Sequence, residues 1–186
     1  AGPLVAQVFK SRNDPFVQKI SYLRVYSGTL NKESTVPVGG HKKGVKIAGL
    51  FTVQGAELKP IDSAKPGDIV ATTKNEELHT GETLGEYALP PIPFPAPMVG
   101  LAVVPKARGD EAKLSVALHK LVEEDHTVHL GRDQQTKELV MTGMSELHLQ
   151  LVRERLKRRD KVEVEGKEPK IPYRETIQQK AEGSYR

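Results

Sequence analysis

The side chains that are able to do chemistry are scattered along the chain. The sequence has no cysteine, and its six histidines are His41, His79, His119, His126, His129 and His148. His126 and His129 are three residues apart, but they lie in strand-like sequence where no carboxylate cluster completes a set of metal ligands. We interpret the acidic run Glu123–Asp125 as the solvated end of a helix rather than as acid/base groups. The sequence therefore predicts no catalytic residue and no metal site.

One glycine-rich segment raises the question of nucleotide binding. Gly39–Gly44 reads GGHKKG, but the GxxxxGK[ST] spacing of a phosphate loop and the helix that should follow it are both absent. A solvated hairpin tip is the favoured interpretation, and its Lys42 and Lys43 are able to contact RNA phosphates. We expect no nucleotide-binding residue and no cofactor, and we expect that this chain neither binds nor hydrolyses GTP.

Composition describes a globular protein with a mild basic excess. The 186 residues suffice for one large or two small domains, 37% are apolar, and the formal net charge is +4. No apolar run approaches the roughly 18 residues of a membrane span, and the chain opens without a signal-peptide pattern. The absence of cysteine suits a reducing compartment, so we expect a cytoplasmic location and no membrane partner. The charge is compatible with an RNA-rich partner without being diagnostic of one.

Short alternating strands with frequent turns fill the first half of the chain. We predict strands at Pro3–Arg12, Ile20–Tyr26, Thr35–Val38, Val45–Val53 and Ile69–Thr73. Several short strands of this kind are typical of a small antiparallel β-barrel. The segment Leu89–Pro97 then holds five prolines in nine residues, a stiff, extended composition that predicts a linker between domains.

The second half alternates strand and helix signals. We predict strands at Val99–Val104, Thr127–Leu130, Glu138–Thr142 and Val162–Val164, with one helix ending at Glu124 and another after Gly143. The resulting order βαββαβ predicts an α+β domain of the ferredoxin-like class.

The second of these helices is amphipathic. Ser145 stands at the N-cap position, and a helical wheel predicts an apolar arc containing Met144, Leu147, His148, Leu149, Leu151, Val152 and Leu156. We interpret His148 as a core histidine that hydrogen-bonds a neighbouring backbone group. The opposite side carries Arg153 and Lys157, which we expect to be exposed, either as a solvated basic face that suits the helix dipole or as a contact for RNA.

Several motifs resemble elongation factor G, a translational GTPase. GMSELHLQ at 143–150 resembles the GMGELHLE signature of its third domain, with Ser145 and Gln150 as departures. In the first half, RVYSGTL at 24–30, AKPGDIVA at 64–71 and TGETL at 80–84 resemble its second domain. Near the end, KEPKIPYRETI at 167–177 resembles the link into its fourth domain. The resemblance spans essentially the whole chain, with the motifs in family order.

The resemblance implies four segments of a longer, GTP- and magnesium-binding parent protein. These are a barrel at 1–89, a linker at 90–97, a ferredoxin-like domain at 98–170 and the start of a fourth domain at 171–186. The implied partner is the small ribosomal subunit, through its rRNA and a ribosomal protein, together with the parent's own GTPase domain. In related barrels the rRNA contact comes from the loop that here holds Asp14–Lys19, where Gln18 and Lys19 replace Gly and Arg. Together with the basic side chains named above, the predicted ribosome or RNA contacts are Gln18, Lys19, Lys42, Lys43, Arg153 and Lys157.

Other functions remain open at this point. The departures from the family motifs are compatible with a paralogue that acts in ribosome recycling or ribosome protection rather than translocation. A stand-alone RNA-binding module is a second hypothesis, for which Phe16, Tyr22 and Tyr26 are the available stacking side chains. An enzyme in its own right lacks a paired base and nucleophile. We expect the fragment to be non-catalytic and monomeric.

Overall fold

The computed structural model describes residues 2–14, 16, 18–39, 41–107, 109–176, 178–180 and 182–185, without the side chains of residues 41–43. Its contacts divide the chain into two compact units. The first contains Ala1–Ala96 and Ser115–Val128, and the second contains Pro97–Leu114 and His129–Arg186. Neither helix among the described residues is long and apolar enough to cross a bilayer.

The first unit is an antiparallel β-barrel. Its described strands are β1 (Val5–Asp14), β2 (Gln18–Ser27), β3 (Leu30–Asn31), β4 (Thr35–Val38), β5 (His41–Lys46), β6 (Leu50–Gln54), β7 (Glu57–Pro60), β8 (Ser63–Ala64), β9 (Ile69–Thr73) and β10 (Thr83–Gly85). Eight of them pair in the order β5-β4-β10-β1-β2-β9-β6-β7, and β3 pairs with β8. Val36 of β4 and Leu50 of β6, from opposite ends of this order, belong to one buried cluster with Val8 and Leu23. The sheet therefore curls around a single core.

The predicted strands Thr35–Val38 and Ile69–Thr73 match the structure, and two other predictions need correction. Gly39–Gly44 is not a loop tip throughout, because β5 begins at His41. The predicted strand Val45–Val53 is interrupted between Lys46 and Leu50, where the Glu33 N–H donates to the Ile47 carbonyl oxygen at 2.7 Å. Sequence analysis missed β3, β8 and β10, which have only two or three residues and show no alternating pattern. It also missed β7, whose four residues include Leu58 as the one apolar side chain besides Pro60.

The structure explains the glycine of the RVYSGTL motif, Gly28. Its φ of 67° lies in the left-handed region, and a Cβ built there would stand 2.6 Å from the Cα of Leu4. Only glycine combines this backbone conformation with such a close approach to a neighbouring segment.

The later part of the chain follows the predicted βαββαβ order. Its elements are β11 (Val99–Pro105), α1 (Glu111–Glu124), β12 (His129–Arg132), β13 (Leu139–Gly143), α2 (Glu146–Arg155) and β14 (Val164–Lys167). The four strands form an antiparallel sheet in the order β12-β13-β11-β14, which is the ferredoxin-like arrangement. The last strand begins two residues later than predicted, at Val164. Most of α1 is grouped with the first unit.

Helix α2 begins as predicted and packs through a narrower stripe than the predicted arc. The Ser145 side chain accepts a hydrogen bond of 3.1 Å from the His148 N–H, and Leu149, Val152 and Leu156 are buried. Leu147 and Leu151, by contrast, are 64% and 52% exposed. The apolar arc covers about half the wheel, whereas the buried stripe of Leu149, Val152 and Leu156, spaced i, i+3 and i+7, occupies only one end of it. A π-helical turn at Leu156–Asp160 ends the helix before Lys161, whose φ is 57°.

His148 makes the kind of backbone contact that was predicted, although it is half-buried rather than fully in the core. Its Nδ1 accepts a hydrogen bond of 3.2 Å from the Met144 N–H. The Ser145 cap satisfies an amide group in the first turn of the helix that has no partner within it, and the His148 ring satisfies the amide group of the residue before the cap. The histidine therefore helps to shape the strand-to-helix turn.

Candidate functional site

The tip of the β1–β2 hairpin is the segment expected to contact RNA. The Asp14 carboxylate accepts a hydrogen bond of 2.8 Å from the Phe16 N–H, and the Phe16 side chain is 92% exposed. Gln18 is exposed and has a φ of 66°. A residue with a Cβ pays roughly 1–2 kcal/mol in this region, so a conformation suited to glycine is occupied by glutamine. The tip presents an apolar ring and an amide to solvent.

Lys19 does not belong to this exposed surface. Its side chain is 0% exposed, and its Nζ donates to the Glu76 carbonyl oxygen at 3.0 Å and to the Glu123 carboxylate. His79 Nδ1 lies 2.9 Å from the same carboxylate oxygen of Glu123. Sequence analysis placed Lys19 among the RNA contacts, but the structure buries its side chain and pairs its ammonium group with internal partners.

The residue directly across the hairpin from Lys19 also contacts helix α1. Asn13 pairs with Lys19 in the β1–β2 register. The Asn13 N–H donates to a Glu124 carboxylate oxygen at 2.6 Å, and its Nδ2 donates to the Lys120 carbonyl oxygen at 3.2 Å. We call the set Asn13, Lys19, Lys120, Glu123 and Glu124 the hairpin clasp. It joins the tip end of the hairpin to the last turn of α1.

The interpretation of Glu123–Asp125 as a solvated helix end was therefore wrong. All three residues are only partly exposed, and Glu123 and Glu124 accept hydrogen bonds from the barrel. The partners Lys19 and Glu123 are separated by 104 positions in the chain. The pattern of charges along the sequence does not predict an ion pair between residues so far apart.

A cavity of about 270 Å³ opens beside the hairpin tip on the outer surface of the barrel. It is lined by Arg12, Asp14, Phe16, Ile20, Tyr22, Val53, Gly55, Ala56 and Leu58. The ring centroid of Tyr22 lies 6.4 Å from that of Phe9, and exposed Lys10 is opposite Tyr22 in the strand register. Aromatic faces beside cationic side chains are chemically suited to a nucleobase and its phosphate. Of the three candidate stacking residues, Phe16 and Tyr22 line this cavity and Tyr26 does not.

Tyr26 has a different neighbour. The Arg24 guanidinium carbon lies 5.9 Å from the Tyr26 ring centroid, within the range of a cation–π contact. The other two barrel candidates, Lys42 and Lys43, have backbone in β5, but their side chains lie outside the described residues.

On helix α2, Arg153 is half-buried, and the prediction of an exposed side chain was wrong. Its Nη2 donates to the Val164 carbonyl oxygen at 3.3 Å. Its Nε is buried and lacks a hydrogen-bond partner in the described part of the chain. The arginine therefore lies along the sheet beside β14, and much of its surface is withdrawn from any RNA.

Lys157 is exposed as predicted, but its charge is shared. Its Nζ lies 2.9 Å from one carboxylate oxygen of Glu163, and Lys106 Nζ lies 3.3 Å from the other. The hydrogen bond from Lys157, followed by that from Lys106, holds the pKa of Glu163 below its ordinary value. These side chains line a groove of about 540 Å³ between α2, β11 and β14. The mixed charges here make a weaker anion-binding surface than a row of free lysines.

The structure shows no cluster of metal ligands in the part of the chain that it describes. There, no group of three or more histidine, aspartate or glutamate side chains is placed to hold a metal ion. The side chain of Asp133 instead shapes the β12–β13 turn, where it accepts from the N–H groups of Thr136 at 2.7 Å and Gln135 at 2.8 Å. These two bonds lower the pKa of Asp133.

Two models of protein domain families match the chain, one in its first half and one in its second half. "Elongation factor G domain 2" matches residues 3–87, and "Elongation Factor G, domain III" matches residues 94–168. Elongation factor G of Amoebophilus asiaticus is 38% identical over 94% of this chain. The proteins of the same name from Petrotoga mobilis and Fervidobacterium nodosum are 37% and 39% identical over 99% and 98% of it. A crystal structure from Thermus thermophilus superposes with a TM-score of 0.82, at 39% identity over 93% of this chain and 27% of its own.

A barrel of this kind followed by a ferredoxin-like sheet, with both matches in place, defines the class as translation elongation factors. The chain belongs to the elongation factor G family and carries its second and third domains. It spans about a quarter of the length of the curated relatives, between 25% and 27%.

Proposed function

We propose that the chain works as the second and third domains of a ribosome-dependent translational GTPase that drives translocation. The observation that carries the proposal is the pair of domain matches, which follow family order through residues 3–168. The parent protein would bind GTP and magnesium in a GTPase domain, act as a cytoplasmic monomer and use these two domains to couple hydrolysis to movement on the small subunit.

The proposed domain limits are a barrel at 1–89, a linker at 90–97, a ferredoxin-like domain at 98–170 and the start of a fourth domain at 171–186. The beginning of the linker is tied to the barrel, since Leu89 N–H donates to Thr83 Oγ1 at 3.0 Å and Gln7 Nε2 donates to the Pro90 carbonyl oxygen at 3.1 Å. Most later linker residues are exposed. Brief digestion with proteinase K should therefore cut first between residues 91 and 97. First cuts within both flanking regions, with the linker intact, would place the boundary elsewhere.

We further propose that the small-subunit contacts are made by Gln18 at the hairpin tip, by Lys42 and Lys43 on β5 and by Lys157 on α2. Phe16 and Arg12 extend the hairpin contact to the neighbouring cavity. Lys19 and Arg153 are assigned internal roles, because their donors face protein acceptors. Phosphate contacts are recognised by their salt dependence. Replacing an exposed lysine such as Lys157 with methionine should therefore lower ribosome affinity and flatten its dependence on salt.

The decisive experiment uses the full-length protein with purified ribosomes. We expect ribosomes to stimulate GTP hydrolysis and a toeprint assay to show movement of the messenger RNA by one codon. Stimulated hydrolysis without movement would favour the paralogue in recycling or ribosome protection. No stimulation, together with single-stranded RNA binding by the 186-residue chain, would favour the RNA-binding module suggested by Phe16 and Tyr22.

The 186-residue chain itself provides a matched control for nucleotide binding. Isothermal titration with GTP and magnesium should give no binding isotherm for it, whereas the full-length protein should give a one-site isotherm. A one-site micromolar isotherm for the chain alone would contradict the assignment of nucleotide binding to a separate domain.

A further inference from the structure

The hairpin clasp contains a buried lysine that the proposed function does not use. Lysine is almost never fully buried unless its ammonium group is paired, and here that group is held by the Glu123 carboxylate and the Glu76 carbonyl oxygen. An ammonium group has three donors and no acceptor. Two of them have protein acceptors on different elements, one on helix α1 and one in the loop after β9. Such a group is built to hold elements together.

The second strand of the hairpin reaches the same helical turn. Asn13, directly across from Lys19, contacts Glu124 and Lys120 through its N–H and its side-chain amide. The last turn of α1 is therefore held by both strands of one hairpin, next to its tip. His79 contacts the Glu123 carboxylate from a third segment at 2.9 Å. The exposed tip, with Phe16, begins only a few residues beyond Asn13.

We infer that Lys19 is a positioning residue that locks the last turn of α1 to the tip end of the β1–β2 hairpin, so that hairpin tip and helix end move as one body. Without the ammonium group, the Glu123 carboxylate would keep only His79 among these contacts, and the Glu76 carbonyl would lose its donor. A half-buried carboxylate without its cation is strongly disfavoured. The helix end would then move away from the hairpin toward water.

The absence of cysteine allows two spin labels to be placed without other changes. One label is attached at Phe16→Cys on the hairpin tip and one at His119→Cys, an exposed position on α1. Double electron–electron resonance then measures the distribution of distances between them. We expect a narrow distribution in the parent background, at least a twofold broader one in Lys19→Met, and a return toward the narrow form in Lys19→Arg. A width unchanged by Lys19→Met would overturn the inference.

Lys10→Met is the matched control, because Lys10 lies on the same strand pair but is exposed. It should leave the distribution narrow, and equal broadening by both variants would contradict a specific role for Lys19. Glu123→Gln provides a second test if Lys19→Met folds poorly, since it removes the charge and keeps an acceptor. It should broaden the distribution less than Lys19→Met does, and a narrow distribution identical to that of the parent would argue against the ion pair as the lock.

Amide hydrogen exchange separates this role from a general loss of stability. The last turn of α1 and the residues after it are held by backbone bonds such as Asp125 N–H to the Leu121 carbonyl oxygen at 2.9 Å. In Lys19→Met we expect exchange at residues 123–128 to accelerate about 10- to 100-fold more than exchange in α2 does. The same acceleration in both helices would mean that Lys19 contributes only to global stability.

Discussion

Two basic side chains, Lys19 on the barrel and Arg153 on the helix beside the four-stranded sheet, are removed from solvent to different extents. Lys19 on the barrel is completely buried and ends on a carboxylate and a carbonyl oxygen. Arg153 on α2 is only half-buried and donates to a single carbonyl oxygen of β14. Both were expected on an RNA-binding surface, and neither presents its full charge there.

The difference follows from the two cationic groups. An ammonium is a compact, strongly hydrated charge, so its burial requires close partners that replace the lost water. A guanidinium is planar and more weakly hydrated, and its stem can cover apolar surface while part of the group remains in water. The barrel therefore uses Lys19 as a specific connection, whereas the sheet uses Arg153 mainly as packing. Variants that separate these two uses test the comparison.

The largest effect should come from the apolar stripe that holds α2, rather than from Arg153. Leu149 is 2% exposed, and its Cδ2 lies 2.7 Å from a Cβ built on Gly143, so the site is tightly packed. Leu149→Ala should lower the free energy of unfolding by about 2–5 kcal/mol. Urea denaturation measures this change. Leu151→Ala is the control, since that side chain is half-exposed, and it should change stability by about 0.5 kcal/mol or less. Equal losses would mean that the wrong face of α2 has been assigned to the sheet.

The direct comparison is between Lys19→Met and Arg153→Met. Removing one partner of a buried ion pair costs roughly 3–5 kcal/mol, and the partial exposure of Glu123 places Lys19→Met near the lower end, at about 3 kcal/mol. Arg153→Met keeps much of the packing and loses one hydrogen bond, for a cost of about 1 kcal/mol. Thermal and urea melts of both variants check the order. A larger loss for Arg153→Met would reverse the roles given to the two cations.

Local signals predicted much of the fold. The strands at Thr35–Val38 and Ile69–Thr73, the cap at Ser145 and the buried residues Leu149, Val152 and Leu156 all follow from turn chemistry or periodicity within short stretches of sequence. Very short strands, such as β3 and β8, contain too little sequence for a period to appear. Their pairing is set by backbone groups, as in the 2.9 Å bond from Lys32 N–H to the Asp62 carbonyl oxygen.

Which charged side chains are exposed and which are buried was harder to predict from the sequence, for a physical reason. Without information about distant residues, a lysine next to a hairpin tip is predicted to be exposed, because burial of its charge is unfavourable by itself. Glu123 and Glu76, both far away along the chain, provide the acceptors that make the burial of Lys19 favourable. Arg153 likewise depends on the position of β14. Charged residues whose environment is decided by distant partners are therefore where predictions from a single sequence fail.

A smaller effect should arise at Gln18, next to Lys19. Its φ of 66° favours glycine, so Gln18→Gly should relieve strain and raise the free energy of unfolding by about 0.5–1 kcal/mol. The matched control is Gln150→Gly in the exposed part of α2, where glycine should instead cost about 1 kcal/mol. Opposite signs in the two melts support the strained hairpin. A loss at both positions would mean that Gln18 makes contacts that outweigh its backbone strain.

The smallest effect should be the pH dependence at Glu163, which shares its carboxylate between Lys157 and Lys106. The two lysines lower its pKa in the folded protein from an ordinary value of 4.5. The folded state therefore holds its proton less tightly than the unfolded state. This contribution to stability is present above the ordinary pKa of 4.5 and is lost as the pH falls through the lowered value. Melts between about pH 2 and 7 should show a slightly steeper acid loss for the parent than for Glu163→Gln. Because the carboxylate is solvent-accessible, about 0.5 M salt should reduce the difference between the two curves. Identical acid slopes at low salt would show that the ion pairs of Glu163 with Lys157 and Lys106 contribute nothing to stability. The two lysines of the groove beside α2 would then keep their charge available for RNA.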